Sequence, residues 1–153
     1  MLNKQKRWDK RYLSLAVEVG KWTSCIRDNR KVGAIIVKNG RIIATGYNGA
    51  PSNITNCIER GYCLRNSLDI NHGEQQQICY SVHAEQNAIL QAAKFGISVD
   101  NSTLYCTHSP CSICAKMIIN SGIKRIVYLN DYPDDFAKQL LSEANIILEK
   151  LDE

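Results

Sequence analysis

The chain has 153 residues, 44% of them hydrophobic and 22% charged, and a formal net charge of +4. That length suits one domain with a full-sized core, and the apolar fraction is ordinary for a globular protein. The charge excess is too mild for a nucleic-acid-coating protein, and no apolar run approaches the roughly 18 residues of a membrane span.

Much of the positive charge lies in Lys4, Lys6, Arg7, Lys10 and Arg11, which read as the solvated face of a helix. This basic start leads into an amphipathic stretch and not into a signal-peptide apolar core, so a cytoplasmic location is expected. Seven cysteines in such a compartment are expected as metal ligands or core residues rather than disulfides.

In chain order, Trp8, Tyr12, Leu15, Ala16 and Val19 recur at helical spacing and predict a first helix over 8–23. A polar loop, 27–31, follows. The dense apolar run from Val32 to Val37 ends at Asn39-Gly40, a strong signal for a tight hairpin turn. Strands over 31–38 and 41–47 should therefore pair antiparallel. The second strand ends in the turn Gly46-Tyr47-Asn48-Gly49-Ala50-Pro51, where Asn48 serves either as an ordinary turn residue or as a donor and acceptor for a ligand.

Residues 48–80 show no convincing periodic element, which is unusual for a connection in a compact domain. They carry Cys57, Cys63, His72 and Cys79 in a C-x5-C-x8-H-x6-C pattern. One reading is a set of reduced, unligated cysteines in a loop. The other, adopted as the expectation, is a closed Cys3His structural zinc that orders a segment with little apolar content.

Ala84, Ala88, Ile89, Ala92 and Ala93 predict a helix over 82–95, stopped by Gly96. A strand over 102–107 follows, in which Cys106 is read as core packing. A helix over 111–121 ends at Gly122 and leads into a strand over 123–129. A helix over 135–144 and a strand over 145–148 close the chain. A hairpin followed by alternating helices and strands implies one α/β domain, a three-layer α/β/α arrangement around a mixed five-stranded sheet.

The chemistry concentrates in His83-Ala84-Glu85 and Pro110-Cys111-Ser112-Ile113-Cys114. One imidazole and two thiolates make three protein ligands for zinc, which leaves a position for water and so describes a catalytic site. Cys111 and Cys114 share one face of a helix start, whose free N–H groups favour thiolate. Glu85 is near enough to serve that water without ligating the metal. A structural zinc alone would leave Glu85 unexplained. The joined H-x-E…P-C-x-x-C arrangement is the signature of zinc nucleobase deaminases.

Further segments carry a resemblance. With the two motifs, Arg30-Lys31-Val32-Gly33-Ala34, Gly46-Tyr47-Asn48-Gly49, Cys57 and Ser121-Gly122-Ile123-Lys124 make the chain similar to the deoxycytidylate deaminases of the cytidine deaminase superfamily over residues 10–148. The resemblance implies hydrolytic conversion of dCMP to dUMP and ammonia, with Glu85 as proton shuttle. It implies that the Ala84 N–H meets the pyrimidine oxygen, the Ser109 carbonyl the amino group, Asn48 the sugar and Arg30 the phosphate. It makes Cys25 an alternative ligand of the second zinc. It also implies dCTP and dTTP effectors beside Gly49 with magnesium, and a homo-oligomer, commonly a hexamer. Rivals share the zinc core. A free-nucleoside or guanine deaminase needs no phosphate contact, a nucleic-acid-editing deaminase needs a basic aromatic groove, and a non-catalytic zinc module needs no Glu85.

Overall fold

The computed structural model describes residues 3–152. Its elements run α1 (Lys4–Gly20), β1 (Gly33–Lys38), β2 (Arg41–Tyr47), α2 (Cys57–Arg60), α3 (Leu64–Ser67), α4 (Ala84–Lys94), β3 (Thr103–His108), α5 (Ser112–Ser121), β4 (Arg125–Asn130), α6 (Asp135–Glu143) and β5 (Ile147–Lys150). The five strands form one sheet in the order β2-β1-β3-β4-β5. β1 is antiparallel to both β2 and β3, whereas β3, β4 and β5 run parallel. The expected mixed five-stranded sheet is therefore present.

β1 shows why the sequence Ala34-Ile35-Ile36-Val37 is apolar without alternation. Successive side chains point to opposite faces, and both faces are covered. Ala34 and Ile36 join Ala84, Ala88, Ala115, Ile118 and Leu141 from α4, α5 and α6. Ile35 and Val37 join Tyr12, Leu13 and Val19 from α1. The hairpin turn has Asn39 and Gly40 at φ 52° and 72°, as the two-residue turn requires.

α1 is also tied down by charge. Buried Asp9 accepts from both Arg125 terminal nitrogens at 2.9 Å and from the Tyr105 hydroxyl at 2.7 Å. Burial alone would raise the Asp9 pKa. The hydrogen bonds from Arg125, Tyr105 and Gln5 outweigh it and hold the carboxyl below its usual range.

Gly46 lets α4 approach β2 backbone to backbone. A Cβ there would lie 2.2 Å from the Ala84 carbonyl oxygen and 2.4 Å from the Ala88 nitrogen. This contact sets the height of the α4 N-terminus over the sheet.

The segment expected to lack regular elements holds two single-turn helices, α2 and α3. The α2 start is a capping box, in which the Asn56 side chain accepts from the Glu59 N–H and the Glu59 carboxylate from the Asn56 N–H. Gly61, at φ 77°, ends that turn. The segment's two ends are joined by an isolated bridge between Gly49 and Val82. Among the described residues, no helix is long and apolar enough to cross a membrane.

Candidate active site

The two motifs meet because two helices begin beside each other at one edge of the sheet. His83 is the N-cap of α4, with its backbone N–H donating to Gln86 Oε1 at 3.0 Å. Cys111 is the N-cap of α5, so Pro110 stands one residue before the cap rather than inside the first turn. Asp134 fastens this start by accepting from the Ser112 N–H at 2.8 Å and also caps α6 at Ala137.

His83 Nδ1 lies 3.2 Å from Cys114 Sγ and 3.6 Å from Cys111 Sγ. The three ligand-type atoms all lie within 4.8 Å of one another, and this is the one such group of three or more among the described residues. Tetrahedral zinc with ordinary Zn–N and Zn–S bonds needs N···S separations of about 3.5 Å. The donor set therefore fits zinc without rearrangement. Hydrogen bonds from Cys114 and then from His83 outweigh burial and draw the Cys111 thiol down to about 4. Cys114, which gives its proton to that bond and is buried, is pushed up. His83 is raised, first by its bond to Cys111.

Glu85, 4% exposed, sits in the first turn of α4. Its Oε2 is 3.7 Å from Cys114 Sγ and its Oε1 is 3.5 Å from Cys106 Sγ. Burial raises its pKa, so the carboxyl holds a proton more readily than an exposed one. Cys106 is fully buried core, as expected, and also touches the carboxylate.

These groups form the floor of a cleft of about 170 Å³. Arg30, Asn48, Ala84 and Ser109 all line it. Ala84 is the first residue of α4, so its N–H has no partner within the helix. The Asn48 side chain is engaged with the loop before β1, accepting from the Val32 N–H at 3.0 Å and donating to the Arg30 carbonyl at 2.6 Å. It thus braces the backbone that carries Arg30 while facing the cleft. The Ser109 hydroxyl accepts from the Tyr132 N–H at 2.7 Å, holding Tyr132 at the rim. Gly49 is occupied by its bridge to Val82.

His72 departs from expectation. Its Nδ1 bonds to the Arg30 guanidinium, and its ring meets Tyr132 edge-on at 5.5 Å. It lines the cleft, and among the described residues neither His72 nor any of Cys25, Cys57, Cys63 and Cys79 falls in a ligand group of three or more. Burial, followed by Arg30, Arg27 and Arg65, lowers its pKa, which favours a neutral imidazole accepting from arginine. Instead, the cysteines whose charge most affects Cys57 are Cys25, Cys79 and Cys63. Cys25 stands near α2 because the Ile58 N–H donates to the neighbouring Ser24 carbonyl.

The main residue that sequence reasoning missed is Arg65. It is 6% exposed, and its guanidinium donates to the carbonyls of Asn71, Glu74, Gln75 and Ile78. One side chain thus satisfies four backbone acceptors of a loop that has no ladder of its own. Arg27, Gln76, Ser81, His108 and Tyr132 also line the cleft unanticipated. In sequence a buried arginine looks like a solvated one, so no local signal marked Arg65.

Fold and ligand set together define a zinc-binding domain of the nucleobase-deaminase class. A family model for the cytidine and deoxycytidylate deaminase zinc-binding region matches residues 6–130, and the chain belongs to that family. Deoxycytidylate deaminase of Enterobacteria phage T4 is 38% identical over 149 residues, covering 78% of this chain and 76% of that protein. The deoxycytidylate deaminase of Schizosaccharomyces pombe is 37% identical over 142 residues, 92% of this chain, but the chain spans only 43% of that relative. The crystal structure of dCMP deaminase from the cyanophage S-TIM5 in complex with dCMP and dUMP superposes with a TM-score of 0.76 at 36% identity, covering 95% of this chain and 97% of that one.

Proposed function

We propose that this chain is a zinc-dependent deaminase that converts dCMP to dUMP and ammonia. The observation that carries this is the buried Glu85 carboxylate beside the His83, Cys111 and Cys114 ligand atoms, at the floor of a cleft lined by Arg27, Arg30 and Arg65. Bound by those three ligands, zinc supplies the Lewis acidity that makes water a nucleophile near neutral pH. Glu85 accepts the proton released as water adds to ring carbon C4 and passes it to ring nitrogen N3; it then carries the C4 hydroxyl proton to the amino group, which leaves as ammonia as the C4–N bond breaks and the carbonyl forms. The Ala84 N–H and the Ser109 carbonyl hold the pyrimidine edge, and Arg30 takes the phosphate. The cationic wall favours a nucleotide over a free nucleoside or guanine, and the phage T4 relative, matched over 76% of its length, is a deoxycytidylate deaminase.

A second, structural zinc belongs to the same reading. Cys57, Cys63 and Cys79 remain its expected ligands, with Cys25 as the fourth in place of His72, whose Nδ1 is taken by Arg30. Metal analysis of fully loaded protein should then give two zinc ions per chain, and one in Cys63→Ala. Effector binding of dCTP or dTTP with magnesium beside Gly49, and hexamer formation, rest on the family resemblance alone.

The activity is tested by ammonia release from dCMP, dCTP, deoxycytidine and a cytosine-containing oligonucleotide, assayed side by side. Turnover of dCMP far above the other three is expected. Equal or greater turnover of deoxycytidine would replace this reading with a nucleoside deaminase, and turnover of the oligonucleotide alone with an editing enzyme.

A further inference from the structure

The wall of the cleft has more positive charge than the protein neutralises. Arg27, Arg30 and Arg65 all line it, and among the described residues none of them is in an ion pair. Glu85 is the one carboxylate among the lining residues, and it lies against the metal ligands. Arg65 spends its guanidinium on four backbone carbonyls. Arg27 and Arg30 are left without a counter-charge.

The unsatisfied atoms point to the same place. Four buried side-chain atoms lack a hydrogen-bond partner: Arg27 Nε, Arg30 Nε, Gln76 Oε1 and Ser81 Oγ. All four residues line this one cleft. Buried polar atoms are normally satisfied, and a buried N–H donor left unpaired is costly. Two unfilled arginine N–H donors in a cationic wall suit a small dianion with several acceptor oxygens, which is a phosphate monoester. The two arginines are close enough for Arg27, after burial, to lower the pKa of Arg30. One dianion between them would convert that repulsion into attraction for both.

We propose that Arg27 is a second phosphate-binding residue, acting with Arg30 on the 5′-phosphate of the nucleotide. This rests on the nucleotide deaminase reading and adds to it the residue that sets phosphate specificity. Arg27 lies in the polar loop before β1. Arg65 holds the loop that bears His72 through its bond to the Asn71 carbonyl.

Binding of the product separates this proposal from the activity itself. Zinc-loaded wild type, Arg27→Gln and Arg27→Lys are titrated calorimetrically with dUMP and with 2′-deoxyuridine. Arg27→Gln should bind dUMP at least about tenfold more weakly while its affinity for 2′-deoxyuridine stays unchanged. Arg27→Lys, which keeps the charge, should recover part of the loss. Inorganic phosphate should compete with dUMP on wild type, which tests the anion site even where the glutamine variant folds poorly. Unchanged dUMP affinity in Arg27→Gln, equal weakening of both ligands, or failure of phosphate to compete would overturn the proposal. If wild type releases no ammonia from dCMP, the activity reading has failed. If it does release ammonia and Arg27→Gln binds dUMP normally, only the role of Arg27 has failed.

Discussion

The floor and the rim of the cleft are built by different physics. The floor is held by regular structure, with His83 and Cys111 capping two helices that pack on one sheet and Glu85 one residue into the first. The rim, the loop 27–31 together with residues 50–81, has only two single-turn helices and is held by side chains that reach backbone, chiefly Asn48 and Arg65. A floor made of caps and strands fixes reacting groups rigidly. A rim made of guanidinium–carbonyl contacts can select a ligand without taking part in the chemistry. The comparison assigns rate to the floor and nucleotide affinity to the rim.

The largest expected effect lies in the floor. Glu85→Gln should keep zinc and fold but lower kcat by about 10²–10⁴-fold, because the proton carrier is gone. Zinc content and kcat on dCMP check this, and near-normal turnover would remove Glu85 from the mechanism. Cys111→Ala should instead lose metal and activity together, and added zinc should not restore either.

Gly46→Ala comes next, because it strikes the scaffold under the floor. A methyl group forced against Ala84 and Ala88 should cost about 3 kcal/mol and lower Tm by roughly 10 °C. Because α4 must shift, kcat should fall more than KM rises. A variant with wild-type Tm and kcat would show that α4 is not seated by this contact.

The smallest effect concerns α1, remote from the cleft. Asp9 has its pKa lowered in the folded state, so its contribution is fully present above the unfolded value of about 3.9. It is lost as pH falls through the lower folded value. Denaturant midpoints should therefore drop more steeply below about pH 4 in wild type than in Asp9→Asn, with no change in activity near neutrality. Parallel acid profiles would remove Asp9 from the acid response.

The sequence made the floor legible because metal ligation, helix starts and sheet strands leave patterned signals. His83, Glu85, Cys111 and Cys114 were identifiable by spacing, and the apolar run of β1 with Asn39-Gly40 placed the hairpin. The rim was legible only in part. Asn56, Glu59 and Gly61 carried the start and stop of α2 and were passed over because one turn is too short to show periodicity. His72 was read with the cysteines by spacing, yet Arg30 and Tyr132 hold it in the cleft. Asn48 was placed correctly at the cleft, but its bonds to Val32 and Arg30 depend on a loop whose path no local pattern sets. Arg65 acts through carbonyls 6 to 13 residues away, and carbonyls have no sequence identity.

The division between floor and rim is tested most directly by kcat/KM for dCMP relative to deoxycytidine, in wild type and in Arg65→Ala. Loss of Arg65 leaves the carbonyls of Asn71, Glu74, Gln75 and Ile78 to find other partners and should loosen the rim alone. We expect the ratio to fall by about tenfold, through KM for dCMP, with catalytic zinc and deoxycytidine turnover unchanged. A loss shared equally by both substrates, or carried by kcat, would contradict the division and make the rim part of the chemistry.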